Sequence, residues 1–426
     1  MKPGAVQTDL LEAAVAALPA DKLAAVRQAA LAQFTASGLP TTRHEDWKYT
    51  NLSPVAELSN AWLSDTSATS QPAEFDTGVT SQIDAHWLVI ENGIVDAESF
   101  ADLEALRDSG LAISRLAEGA DESAIATDDP LSAFNAALLQ DGLRLKLAAG
   151  RVLDKPIGLL TIDDGSVAVT QSRILIDVEE NARLQWVEVA LSGGGERQFA
   201  NTVTQATLSS GAVLDVVRIQ GRQQSHFNVN RFTARLSRDA RLNYNNFEFG
   251  GGLARNDIIG DILEPGAEVN LHGLYLASGQ QHIDNHTRVD HRVGPAKSTE
   301  EYRGILNGRS RCVFNGKAVV HKGADGTDAD QANHNLLLSD KAEIDTKPEL
   351  EIYADDVKCS HGATVGQLDK NALFYLRSRG LGRDQATQVL TRAFASAILG
   401  KLAIDECADY LAALLDRKLD ALIDDK

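Results

Sequence analysis

The sequence predicts a mainly β protein in which a parallel β-helix core lies between two helical regions. Three observations lead to this fold class. From about Gly150 the chain consists of short runs of alternating polarity, separated by Gly, Asn and Asp turns. Within these runs a short sequence phrase recurs at intervals of 27–30 residues. It ends in a small or polar residue, then Ala, then any residue, then an apolar residue. On both sides of this stretch, apolar residues follow a helical spacing of three and four instead.

The N-terminal region, residues 1–149, is predicted to be mainly helical with mixed short elements. Leu11 and Val15 belong to a first apolar stripe, which Pro19 interrupts. A second helix is expected to continue to Gly38, a residue that favours a helix C-terminus. A strand is expected at 87–90, and further helical patterns lie near 103–116 and 131–139.

The core, residues 150–366, carries the repeated phrase. Its alanines are Ala182, Ala212, Ala240, Ala267 and Ala342. The gap before the last one equals three intervals of 25, and Ala296 and Ala318 are looser matches within it. A repeat of this length with strand-like texture is typical of a solenoid, in which each coil buries its inner face against its neighbours. We therefore expect Ala182, Ala212, Ala240 and Ala267 to occupy equivalent places in successive coils, at tight inward sites where a larger side chain would cost about 1–3 kcal/mol. A sandwich with irregular hairpins is the main alternative.

The C-terminal region, residues 367–426, is predicted to form a small helical domain. One helix is expected to end at Gly380 and a second at Gly400, and a third carries an apolar stripe that includes Cys407. Because a solenoid presents unpaired strand edges at its end, we expect these helices to close that end. Cys407 is interpreted as a core residue.

Composition limits the function classes. The 426 residues contain 41 Lys and Arg against 60 Asp and Glu, a net charge of −19, which argues against a nucleic-acid partner. Three cysteines argue against a disulfide framework and for a reducing compartment. Neither a signal-peptide pattern nor a run of 18 apolar residues occurs in the sequence, so we expect a cytoplasmic protein with no membrane partner.

Standard catalytic motifs are missing from the sequence. It has no G-x-x-x-x-G-K-[ST], G-x-G-x-x-G, H-E-x-x-H or G-x-S-x-G, and no paired C-x-x-C. We therefore expect no nucleotide hydrolysis by a standard phosphate-binding loop. A zinc or cluster site held by this chain alone is equally unexpected.

Cys359 and His361 are the candidate site residues. At positions i and i+2 of a strand, a thiol and an imidazole point to the same side. Sulfur and nitrogen ligands suit iron, zinc or an iron–sulfur cluster better than hard cations. One Cys and one His are only half of a metal site, however, and a small buried Cys with a surface His is the alternative interpretation.

Two other groups are open to two interpretations. His282, His286 and His291 form either a hydrogen-bonding ladder or, if turns bring them together, a metal site. Cys312 lies near several arginines, which lower a thiol's pKa, but the adjacent Val-Phe pair favours a buried structural role.

Several segments together resemble the SufB/SufD family of iron–sulfur cluster assembly scaffolds. They are R-H-E-D-W-K-Y-T (43–50), D-N-H-T-R-V-D-H (284–291), Y-R-G-I-L-N-G-R-S-R-C-V-F-N-G-K-A (302–318) and most of residues 328–381. The resemblance covers nearly the full chain. The SufB branch carries E-H-E-A-T where this chain has C-S-H-G-A-T, which, with the shorter length, favours the SufD branch.

The resemblance implies a right-handed parallel β-helix that pairs with SufB, and C-terminal helices that dock the SufC ATPase. In this family the motif histidine, here His361, lies at the SufB interface opposite a SufB cysteine, and Cys359 matches a cysteine at the same interface. A transient iron–sulfur cluster would then be shared between the two chains. Reduced flavin is associated with the assembled complex, although the sequence contains no flavin motif.

The resulting hypothesis is a non-enzymatic scaffold subunit that contributes His361 as a metal ligand to a nascent cluster. Cys359, beside it, is the second cluster-binding residue. The alternative from another class is a β-helix carbohydrate-active enzyme, a lyase or hydrolase. Such enzymes are usually secreted, and this chain has no export pattern. The sequence leaves open whether the isolated chain forms a homodimer.

Overall fold

In a computed structural model of the chain, residues 4–66, 72, 78–119 and 125–424 are described. Within these residues, two sheets of ten and nine strands dominate the fold. The strands are β1 His86–Glu91, β2 Ile94–Val95, β3 Leu111–Arg115, β4 Leu143–Leu147, β5 Ile157–Asp163, β6 Val169–Val178, β7 Arg183–Ser192, β8 Gln198–Leu208, β9 Val213–Gln220, β10 His226–Leu236, β11 Arg241–Glu248, β12 Leu253–Ile262, β13 Glu268–Ala277, β14 His282–His291, β15 Lys297–Leu306, β16 Arg311–Val320, β17 Asp328–Leu337, β18 Glu343–Ile352 and β19 Lys358–Gly366.

Helices lie before, between and after these strands. They are α1 Thr8–Ala17, α2 Ala24–Ser37, α3 Ser53–Ser64, α4 Val79–Gln82, α5 Ala97–Glu104, α6 Leu116–Gly119, α7 Pro130–Ala137, α8 Lys370–Ser378, α9 Arg383–Leu399 and α10 Ala408–Asp424. None of the helices described here is long and apolar enough to cross a membrane.

The strands form a parallel β-solenoid of about eight turns. Odd-numbered strands from β5 to β19 line one sheet and even-numbered strands from β4 to β18 the other, so each coil contributes one strand to each sheet. Consecutive strands of a sheet pair in parallel, as β15 does with β13 and β17. The predicted mainly β, solenoid fold class is confirmed. The sandwich alternative is wrong, because a sandwich built from hairpins would pair sequential strands antiparallel.

Four of the repeat alanines occupy equivalent places, as predicted. Ala182, Ala212, Ala240 and Ala267 each directly precede an odd-numbered strand and are at most 1% exposed. The carbonyl of each accepts a hydrogen bond from the next coil, for example from Val213 N to Ala182 O at 2.9 Å. Ala296 continues the column before β15.

Ala342 and Ala318 lie outside this column. Ala342 precedes β18, which belongs to the other sheet, and Ala318 lies within β16. The repeated phrase identifies a type of turn, and not membership of one column. Its small or polar residue adopts a positive φ before each of the four alanines that match. These residues are Asn181 at 55°, Gly211 at 69°, Asp239 at 57° and Gly266 at 82°.

The helical regions cover the outer faces of the two sheets. N-terminal residues such as Phe34 and Phe134 pack with Phe199 and Val229 of the even-numbered sheet. C-terminal residues such as Leu411 pack with Val217 and Leu274 of the odd-numbered sheet. Burial of these two outer apolar faces stabilises both helical regions on the solenoid.

The expectation that the C-terminal helices close the solenoid's end is wrong. Helix α9 contacts β13 and β15, and Arg303 Nη1 donates to the Phe394 carbonyl of that helix at 2.9 Å. The long apolar column on the outside of the odd-numbered sheet offers the amphipathic helices more area than one coil end does. The last strands, β18 and β19, are therefore left uncovered.

The boundaries at residues 149 and 366 stay predictions of the sequence. Upstream of residue 150, β1 already pairs in parallel with β5, and β4 with β6. The two sheets thus begin within the region that the sequence describes as mainly helical.

Candidate functional site

The last coil of the solenoid has an open edge. In the described part of the chain, β19 pairs only with β17, and β18 only with β16. The side chains of β18 are mostly half-buried, and most of those of β19 are exposed, whereas the corresponding inner positions of earlier coils are buried. The end of the core is thus accessible to a partner.

Cys359 and His361 both lie on this last strand. The register aligns Cys359 with Ala329 and His361 with Gln331 of β17. Ala329 and Gln331 are only 2% and 5% exposed, so these two columns face the interior of the solenoid. The prediction that both residues share one strand face is confirmed, and they are accessible because no further coil stacks on them.

The two side chains differ in their surroundings. Burial raises the pKa of the half-buried Cys359 thiol, and the nearby Asp328 carboxylate acts in the same direction. His361 is exposed, and its side chain has no hydrogen-bond partner among the described residues. Searched over the same residues, no three His, Cys, Asp or Glu side chains converge as a metal site. The ligand roles of Cys359 and His361 stay predictions.

Beneath His361 the interior of the solenoid becomes polar. The same column contains Leu271 three coils down, then Glu300 and Gln331. Glu300 is 4% exposed and accepts hydrogen bonds from the Thr287 hydroxyl and, at 2.9 Å, from Gln331 Nε2. Burial raises its pKa to about 7, although both hydrogen bonds oppose that shift.

Glu300 and Gln331 are residues that the sequence reasoning missed. A signal for them exists in the chain, because every second residue after the Ala296 turn points inward. Counting from that alanine places Ser298, Glu300 and Tyr302 inside the coil.

Replacing Glu300 by glutamine is expected to remove a pH dependence of stability. The neutral acid stabilises the folded state fully below the ordinary pKa of 4.5, and this contribution is lost as the pH rises to about 7. At about 1.4 kcal/mol per pH unit, the free energy of unfolding of the native chain should fall by about 2–3 kcal/mol relative to Glu300→Gln between pH 5 and pH 8. Urea unfolding of both proteins at the two pH values measures this difference.

The adjacent Glu301 provides a matched control. Despite partial burial, hydrogen bonds from Lys401 and Arg303 lower its pKa, so it is ionised at both pH values. Glu301→Gln should change the free energy of unfolding equally at pH 5 and pH 8. A difference between native chain and Glu300→Gln that is independent of pH would contradict the assignment of Glu300.

The three histidines of β14 do not converge. His286 Nε2 lies 3.1 Å from Asp284 Oδ1 on the outer face, and His282 Nε2 lies 2.8 Å from Thr50 Oγ1. His291 points the other way, into the core, with Nε2 2.9 Å from Ser298 Oγ. A spacing of five residues reverses the strand face, so the structure favours the hydrogen-bonding interpretation over a metal site.

The other two cysteines are buried. Cys312 is 0% exposed inside the solenoid, and burial raises its pKa well above the ordinary range. Cys407 lies in the core that the C-terminal helices share with the odd-numbered sheet, where burial raises its pKa to about 12. Both are structural residues, as the sequence indicated.

Comparison with known proteins agrees with this architecture. Residues 160–394 match the family model described as SUF system FeS cluster assembly, SufBD core domain, and residues 9–159 match the SufBD protein N-terminal region. The chain is 28% identical over 400 residues to the iron–sulfur cluster assembly protein SufD of Escherichia coli, covering 91% of each protein. It is 29% identical over 403 residues to an iron–sulfur cluster assembly SufBD family protein of Synechocystis, covering 88% of this chain and 86% of the relative.

A third relative is the Bacillus subtilis iron–sulfur cluster assembly protein SufD, 25% identical over 303 residues, or 68% of this chain and 67% of the relative. The matched family models together span the solenoid, its N-terminal helices and most of α9. The chain therefore belongs to the SufBD family of iron–sulfur cluster assembly proteins.

Proposed function

We propose that this chain is a scaffold subunit that pairs with a SufB-type chain at its open end and supplies His361 to a nascent iron–sulfur cluster. The observation that carries the proposal is the placement of His361. It lies in an inward-facing column of the last coil, yet it is exposed because nothing in the described chain covers it. The cluster is cargo of the assembly, and not a group that this chain holds alone.

The incomplete ligand set supports a shared site. An iron–sulfur cluster is usually held by four protein ligands, mostly thiolates. Cys359 and His361 are two candidate ligands on one strand face. To bind iron, the Cys359 thiol must lose its proton, and burial raises the pKa of that thiol. The remaining ligands would come from the partner, which makes cluster binding depend on pairing.

The free strand edges support the mode of pairing. β18 and β19 each leave one side of their backbone N–H and C=O groups without a strand partner in the described structure. Such an edge is a template for a strand of another chain. A SufB-type chain would cover this edge and complete the last coil, and a second copy of this chain competes for the same surface when it is isolated.

A separate surface on the C-terminal helices supports docking of a SufC-type ATPase. Phe374 and Tyr375 of α8 are 74% and 57% exposed, and Val389 of α9 is 47% exposed. Exposed apolar side chains of this size on two helices that contact each other indicate an interaction surface. Because α9 also packs on the solenoid, movement of the ATPase would be transmitted to the coils near β15.

Other properties stay predictions. A cytoplasmic location, reduced flavin in the assembled complex and the lack of a reaction catalysed by this chain alone rest on the sequence and the resemblance. Family membership favours cluster assembly over the carbohydrate-active alternative.

Co-expression with SufB-type and SufC-type partners from the same source tests the proposal. We expect the three chains to purify together and to contain iron and acid-labile sulfide after reconstitution, and the isolated chain to contain much less of both. A chain that purifies alone from such cells would contradict the proposed pairing. A parallel screen for cleavage of acidic polysaccharides tests the alternative enzyme.

A further inference from the structure

A buried acceptor lies directly beneath His361. Gln331 is 5% exposed, and its Oε1 has no hydrogen-bond partner in the described structure. The parallel register places Gln331 opposite His361 on the neighbouring strand. Paired strands are about 4.8 Å apart, which brings a glutamine amide within reach of a histidine ring in the next coil.

The other end of the same amide is held in place. Gln331 Nε2 donates to Glu300 Oε2 at 2.9 Å, and the Thr287 hydroxyl holds the second oxygen of Glu300. Across the coil lies Gly316, where an added Cβ would come within 2.9 Å of Gln331 Nε2. The amide is therefore packed with its donor group committed to Glu300 and its oxygen without a partner.

The earlier coils show that this column does not require a carboxylate or an amide. At the equivalent positions they carry Trp186, Val216, Tyr244 and Leu271. Among the described strands, carboxylate and amide side chains enter this column only in the two coils beneath His361, at Glu300 and Gln331. A buried amide oxygen without a partner is unfavourable, so its occurrence beneath an exposed imidazole calls for a donor.

We propose that Gln331 is a positioning residue for His361: its amide oxygen accepts a hydrogen bond from one ring N–H of His361 once a partner chain covers the open end. Histidines that bind metals commonly donate their other ring N–H to an acceptor that selects the tautomer and orients the ring. The Thr287–Glu300–Gln331 chain thus presents one defined nitrogen of His361 to the cluster. This inference rests on the proposed function, and it adds the residue that determines which nitrogen is used.

The test compares Gln331→Met with the native chain in the three-chain complex. Methionine has a similar length but no amide oxygen. Only this subunit is labelled with ¹⁵N-histidine, and solid-state NMR of the sedimented complex reports the tautomer of each of its 10 histidines. The signal missing from the His361→Ala complex assigns His361. We expect one tautomer in the native complex, a mixture in Gln331→Met, and about tenfold less bound iron and sulfide in the variant.

Thr346→Val is the matched control. Thr346 also makes a hydrogen bond inside the last coils, to Asn333 Oδ1 at 2.9 Å, but it lies outside the His361 column. Both variants should lower the unfolding midpoint modestly, and only Gln331→Met should change the tautomer. An unchanged His361 tautomer in Gln331→Met, or a tautomer mixture in the native complex, would overturn the inference. Normal cluster content in His361→Ala would instead remove the proposed function, while the tautomer still reports on the hydrogen bond.

Discussion

Replacing His361 by alanine is expected to lower the iron and sulfide bound to the three-chain complex by about tenfold or more. Loss of a partner of a metal ligand alone commonly costs 10–100-fold in metal affinity, and loss of the ligand should cost at least as much. The stability of the isolated chain should be unaffected, because the imidazole is exposed there and makes no side-chain hydrogen bond among the described residues. Iron and acid-labile sulfide are measured on the complex, and the thermal midpoint is measured on the isolated chain.

Three other substitutions serve as controls. Cys359→Ala should reduce the cluster less, because burial favours the protonated thiol, a poor ligand. His282→Ala and His286→Ala should act mainly on stability, since they remove contacts to Thr50 and Asp284 on the outer face. If His361→Ala assembles clusters at the native level, the site assignment is wrong.

Replacing Phe374 and Tyr375 together by serine is expected to weaken binding of the ATPase subunit by about 100-fold or more. Truncation of a central aromatic residue in an interface commonly costs about 2 kcal/mol or more of binding free energy. Two such losses together exceed a 100-fold loss of affinity, because about 1.4 kcal/mol corresponds to a factor of ten. Both rings are more than half exposed, so the fold should lose little stability. Titration calorimetry with the purified ATPase measures the affinity. The candidate polar rim around this docking surface comprises Arg377, Arg379 and Arg383.

Point substitutions test this surface more cleanly than removal of the C-terminal region. Deleting residues after Gly366 would also expose the apolar face of the odd-numbered sheet that Ile398, Leu411 and Leu415 cover. Val365→Ser is the matched control, because Val365 is 51% exposed but lies on β19 at the open end. Native affinity for the ATPase in the Phe374 and Tyr375 double variant would eliminate this docking surface.

The sequence by itself determined the repeating architecture and the candidate pair. Ala182 to Ala267 recur because each coil must turn through a residue of positive φ and then fit a small side chain into a tight inward place. Cys359 and His361 share a face because side chains alternate along any strand. Both are local properties, and one chain is enough to reveal them.

Only the tertiary structure decided what lies beside what. The assignment of Ala342 to the other sheet, the packing of α9 against β13 and β15, and the polar column of Glu300 and Gln331 beneath His361 all depend on how distant coils align. A strand's periodicity tells which residues share a face, but not which face is covered. Burial at a given position is set by the next coil or helix, and at β19 the absence of a next coil in the described chain makes His361 accessible.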